Sequence, residues 1–109
     1  MHIESLRAYC LSKPNVTEEM PFGPDTLVFK VNGHAFCLTG LDNDPLSFTV
    51  KCDPDKAIEL REHHDAVQPG YHMNKKHWNT IVVDGALSDD FLQEQIDHSY
   101  ALNAKKKPK

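Results

Sequence analysis

The sequence has no apolar run long enough to cross a membrane, so a soluble protein is expected. Its first residues lack the basic head and apolar stretch of a secretory leader, because Glu4 and Arg7 interrupt them early. Cysteine is scarce: the three are Cys10, Cys37 and Cys52, an odd number without close spacing. That excludes the even framework of a small secreted disulfide scaffold and points to reduced, packed thiols in a cytoplasmic protein. Positive charge is also short, with 12 Lys and Arg against 16 Asp and Glu and a net charge of −4. A duplex-DNA binder normally carries a strong basic footprint, so any nucleic-acid reading has to rest on a local patch.

Other absences bear on chemistry. The glycines Gly23, Gly33, Gly40, Gly70 and Gly85 stand apart from one another, so no glycine-rich loop is present to cradle a phosphate. No serine lies in a nucleophile elbow. Each cysteine falls among apolar neighbours in an expected helix or strand, which favours inert packing. His34 and Cys37, His63 and His64, and His72 and His77 lack the paired spacing of structural zinc. On a regular strand, positions 34 and 37 face opposite sides and cannot chelate together. The expectation is therefore a non-enzymatic protein with no catalytic residue, no metal and no cofactor.

What the chain does have is clear patterning. Its 109 residues suit one domain with a single core of two packed layers. Ile3, Leu6, Tyr9 and Cys10 recur at helical spacing, predicting a helix over residues 3–12 that Pro14 stops. Residues 14–25 carry Pro14, Pro21, Gly23 and Pro24 and read as a loop. Asn32-Gly33 between two alternating runs predicts a hairpin of residues 26–31 and 34–39, since both positions of a type I′ turn need positive φ. Leu27, Phe29 and Val31 fall on its inner face, and Phe36 and Leu38 are expected to join the core. A third strand over 46–51 places Leu46, Phe48 and Val50 inward and Ser47, Thr49 and Lys51 outward.

Asp53-Pro54 predicts a helix to about residue 63, with a capping carboxylate and proline at the first helical position, and with Ala57, Ile58 and Leu60 packing. Residues 66–71 read as a short strand or extended loop, and 78–83 as a strand. Ser88 caps a final helix whose Leu92, Ile96 and Ser99 or Tyr100 form the buried stripe, with Phe91 beside it. The fold class is α+β, a two-layer sandwich with an antiparallel sheet of about five strands and helices on one face, in the order α-β-β-β-α-β-β-α. The domain spans residues 1–104. Residues 105–109 are expected to form a basic disordered tail.

The charge is uneven. Residues 81–104 contain five acids and no Lys or Arg, whereas residues 67–80 carry a net +2 and the tail +4. The segment 69–79, Pro-Gly-Tyr-His-Met-Asn-Lys-Lys-His-Trp-Asn, holds the only Trp and two of the seven His. Its aromatic groups can stack on bases, Lys75 and Lys76 can neutralise phosphate, and Asn74 can hydrogen-bond base edges. Trp78 opens a strand and, with Tyr71, serves as a core anchor in the alternative reading. The candidate contact residues are His72, Asn74, Lys75, Lys76, His77 and Trp78.

The same segment, together with Pro21-Phe22-Gly23, Phe29-Lys30-Val31-Asn32-Gly33-His34-Ala35-Phe36 and His98-Ser99-Tyr100, resembles the MmcQ/YjbR family of small bacterial proteins over residues 3–104. The resemblance implies a two-layer fold with an antiparallel sheet, similar to frataxin-like or secretion-chaperone-like folds. It also implies DNA binding through a double-wing surface on the sheet. The leading expectation is thus a monomeric, cytoplasmic, DNA-binding protein that contacts nucleic acid near residues 69–79. The alternative is a protein- or small-ligand-binding module that uses the exposed aromatic loop.

Overall fold

A computed structural model of the protein describes residues 1–70 and 73–108. The elements are α1 (Ile3–Leu11), β1 (Val16–Glu19), β2 (Thr26–Val31), β3 (His34–Gly40), β4 (Ser47–Lys51), α2 (Pro54–His63), β5 (Val67–Pro69), β6 (Trp78–Val82) and α3 (Asp89–Ala104). The strands form one antiparallel sheet in the order β1-β2-β3-β4-β6-β5. The α+β architecture is the one expected from the sequence, with one strand more. That strand is β1, inside the segment read as a loop. It pairs Val16–Glu19 with Val28–Val31 at the sheet edge.

Local chemistry fixes the element boundaries. Asn32 and Gly33 take φ values of 53° and 81° and turn the β2–β3 hairpin as the dipeptide predicts. The Asp53 carboxylate accepts from the amides of Asp55 at 3.1 Å and Lys56 at 3.4 Å, and the Ser88 hydroxyl accepts from that of Phe91 at 3.1 Å. These caps satisfy amides that otherwise have no partner in the first turns of α2 and α3.

The core lies between the sheet and the helices. Leu27, Phe29 and Val31 of β2, Phe48 and Val50 of β4, Val67 and Ile81 meet Leu6 and Cys10 of α1 and Leu92 and Ile96 of α3. Leu38, the pair His34 and Cys37, and Ile58 depart from the expected pattern. A bulge in β3 leaves Phe36 unpaired between Ala35, opposite Lys30, and Cys37, opposite Phe29, which moves Leu38 to the outer face opposite Val28. The same bulge breaks the alternation used for His34 and Cys37. By register with Val31 and Phe29 the two now share the inner face. Ile58 is 53% exposed because α2 meets the sheet through Ala57 and Leu60. The free Cys37 thiol shares a hydrogen bond with the Cys10 thiol and is buried with it, which holds it well above the ordinary thiol range. No helix among the described residues is long and apolar enough to cross a membrane.

Candidate functional site

Three consecutive residues of α3 tie the layers together. The His98 Nε2 accepts from the Asp53 amide at 3.2 Å, at the start of α2. The buried Ser99 hydroxyl donates to the Phe36 carbonyl at 2.6 Å and accepts from the Lys51 amide at 2.9 Å. The Tyr100 hydroxyl donates to the Pro14 carbonyl at 2.7 Å, and its ring meets Phe36 edge-on with centroids 5.4 Å apart. His98, Ser99 and Tyr100 therefore clamp three separate parts of the chain to one helix, and their work is structural.

This clamp fixes one end of the sheet. Lys51 ends β4, Trp78 opens β6 beside it in register, and the Asn32-Gly33 turn lies at the same end. The C-terminus of α3 arrives there too. Asn32 donates to the Ala104 carbonyl at 3.1 Å, and the His34 ring lies 2.8 Å from the Lys107 carbonyl. The lysines that follow α3 are thus laid against the sheet end, where the negative pole of the helix favours them. The Lys106 ammonium, with burial second, pushes Lys51 down to about 8. Burial, then Lys56, holds His98 below its ordinary value against the opposing pull of Asp53, and Lys105 adds to the effect. Lys106 thus acts on Lys51 while Lys56 and Lys105 act on His98, so cations from three separate stretches of sequence reach the same end of the sheet.

The connection between β5 and β6 borders this end. Gly70 donates to the Trp78 carbonyl at 2.8 Å, and a Cβ on Gly70 would stand 2.6 Å from the Cβ of Trp78, so only glycine fits. The Lys75 ammonium donates to the Gly70 carbonyl at 3.2 Å, and the Asn74 side chain accepts from the Lys76 amide at 2.9 Å. Arg61 of α2 donates to the buried Asn79 side chain at 2.7 Å and to the Lys75 carbonyl. His77 is half-buried, and its carbonyl accepts from the Cys52 amide at 2.8 Å. Of the six residues singled out in the sequence, Lys75 and Lys76 are exposed, Asn74 shapes its own turn, and His77 and Trp78 are half-buried. His72 lies outside the described residues, as does Tyr71.

The sheet face away from the helices continues from that end. Paired rungs run Lys51–Trp78, then Thr49–Thr80, then Ser47–Val82. The Thr49 and Thr80 hydroxyls share a hydrogen bond of 2.8 Å. Over these rungs lies a groove of about 610 Å³, bounded by Phe22, Leu38, Asn43, Gln68, Pro69 and Met73. Among the described residues no charged side chain lines it. Lys51, the lysines after α3 and Phe22 were not among the residues singled out. Outward alternation in β4 marks Lys51, but its contact with Lys106 depends on how α3 docks. Among the described residues no group of three or more His, Cys, Asp or Glu is placed to hold a metal ion.

A family model described as YjbR matches residues 11–102. The chain is 33% identical over 101 residues to the uncharacterised Escherichia coli K12 protein YjbR, covering 92% of this chain and 85% of that one. It is 33% identical to the uncharacterised protein YbdF of Escherichia coli O157:H7, covering 91% of this chain and 81% of the relative. Its structure is similar to a Deinococcus radiodurans protein with a DUF419 domain, with a TM-score of 0.91, 40% identity and coverage of 95% of this chain and 79% of that chain. A crystal structure of a Pseudomonas syringae protein matches with a TM-score of 0.82 at 26% identity, over 94% of this chain and 99% of that one.

Proposed function

The chain belongs to the YjbR family, and from that premise, with the cationic sheet end, we propose that it is a non-enzymatic DNA-binding protein. The observation that carries the reading is that Asn32 and His34 hold the chain after α3 by the Ala104 and Lys107 carbonyls at the sheet end that Lys51 closes, which brings Lys106 to Lys51. Two ammonium groups held together repel each other. A phosphate set between them turns that repulsion into two attractions, which makes the pair a natural anion seat. Lys75 and Lys76 extend the positive edge along the β5–β6 connection and supply the local patch that an acidic chain needs.

Fluorescence anisotropy with labelled DNA across a salt series tests the proposal. The logarithm of affinity should fall linearly with the logarithm of salt concentration. Each lysine–phosphate contact removed should lower that slope by about 0.7–0.9. Lys75→Ala with Lys76→Ala, and separately Lys51→Ala with Lys106→Ala, should each flatten it. Salt-independent binding, or none at low ionic strength, rejects the reading. The groove, whose described lining carries no charge, favours a second reading, a module for a small neutral ligand, because its volume falls within the usual range of about 300–1,000 Å³ for small-molecule sites.

A further inference from the structure

The groove and the cationic end share two strands. Lys51 and Trp78 stand two residues along from Thr49 and Thr80 on the same outer face. A strand rises about 3.3 Å per residue, so the rungs are about 6.6 Å apart, a gap that one nucleotide can bridge. The two sites differ in chemistry. The end is positive and solvated, whereas the described lining of the groove is uncharged and mixes apolar side chains with hydroxyls and the amides of Asn43 and Gln68. At its rim the Phe22 ring is 73% exposed, so its face is open to stack on an incoming ring.

A neutral, flat ligand with donors and acceptors along its edge suits this groove, and a negative group beside it suits the end. A nucleotide combines both. In a duplex the bases are stacked and paired, and their faces cannot enter a concave site. We infer that the groove receives an unpaired base of single-stranded DNA, stacked against Phe22, while the Lys51–Lys106 end holds a phosphate farther along the same strand. This inference rests on the DNA-binding reading and narrows it from DNA in general to single strands.

The test compares three labelled ligands by anisotropy at one low salt concentration: a mixed-sequence single strand, an abasic strand of equal length, and the blunt duplex. The abasic strand keeps the phosphates and lacks only the bases. The intact strand should bind about tenfold tighter than the abasic one, the range expected when a base stacks on an aromatic side chain. It should also bind tighter than the duplex. Phe22→Ala, at an exposed position, should reduce the margin over the abasic strand and leave the abasic affinity unchanged. Equal affinity for intact and abasic strands, preference for the duplex, or an unchanged margin in Phe22→Ala overturns the inference and leaves the DNA-binding reading standing. Failure to bind any of the three overturns the reading beneath it.

Discussion

Ser99→Ala removes one oxygen and should cost more stability than any surface change. The hydroxyl is fully buried, donates to the Phe36 carbonyl at 2.6 Å and accepts from the Lys51 amide at 2.9 Å. Phe36 lies at the bulge of β3, where the regular ladder is interrupted, and Lys51 is the last residue of β4. Neither group has a neighbouring strand amide or carbonyl poised to replace the serine. An unsatisfied buried polar group costs about 1–3 kcal/mol. The Phe36 carbonyl is sealed and should lose most of that, while the Lys51 amide lies nearer solvent and should lose less. The sum is about 2–4 kcal/mol, a large part of the roughly 5–15 kcal/mol that holds a domain together. Urea unfolding should show a lower midpoint with an unchanged slope, and Tm should fall by about 10–20 °C. Ser88→Ala is the control, since it loses a solvent-facing cap worth about 1 kcal/mol. A Ser99→Ala loss below about 0.5 kcal/mol would refute the assignment of this serine as the link between α3 and two strands.

Three further perturbations follow from the same geometry. Gly70→Ala places a Cβ 2.6 Å from the Trp78 Cβ and 2.9 Å from the Trp78 carbonyl oxygen, so thermal unfolding should reveal a loss of about 1–3 kcal/mol. Unchanged stability would mean that β5 and β6 are not held this close. Lys51 titrates at about 8 when folded, below its ordinary 10.5. Between those values the unfolded chain binds a proton that the folded chain lacks, so stability should rise with pH across that window. Lys106→Ala should flatten the rise in urea titrations, and DNA binding near pH 8 should take up protons, measurable by calorimetry in buffers of different ionisation enthalpy. His98 is shifted below 6.5 and accepts from the Asp53 amide through a neutral nitrogen. Its contribution is present above pH 6.5 and should be lost as pH falls below that value, with His98→Gln showing a flatter acid limb.

Most of the fold was legible because local signals agreed with one another. Asn32-Gly33, Asp53-Pro54 and Ser88 each specify a turn or cap by their own chemistry, and the structure has the turn and both caps at those residues. The misses came from pairing and packing. Val16-Thr17-Glu18-Glu19 is short, polar and flanked by proline, so nothing in it announces a strand. It is one only because β2 offers an unpaired edge, and its charged residues suit that edge. The β3 bulge leaves no mark in the alternation of residues 34–40, yet it moves Leu38 to the outer face while Phe36 stays in the core as expected. The site was half legible for the same reason. Lys75, Lys76 and Trp78 stand together in sequence, whereas Lys51 and Lys106 meet only after α3 has docked and Ser99 has fixed the end of β4.

The net negative charge, the strongest sequence-level objection to DNA binding, weakens once the charges are placed. Asp25 precedes β2, Asp42 and Asp44 lie between β3 and β4, Asp84 follows β6, and Asp89 and Asp90 begin α3. All of these fall at the end of the sheet opposite the lysines. The seven residues of β3 separate the two ends by roughly 20 Å. At physiological ionic strength the Debye length is about 8 Å, so phosphates at the lysine end feel little of the distant carboxylates. Acidic groups that share the near end, chiefly Asp53 and Asp55, are already engaged with the start of α2. The acidic end then acts mainly on orientation, turning the protein so that the lysine end approaches first. Its effect should therefore fall on association rate more than on affinity. Asp89→Asn with Asp90→Asn should leave the dissociation rate from single-stranded DNA unchanged and alter the association rate modestly, and only at low salt. A large change in dissociation rate would mean that DNA reaches the start of α3, contrary to the site assigned here.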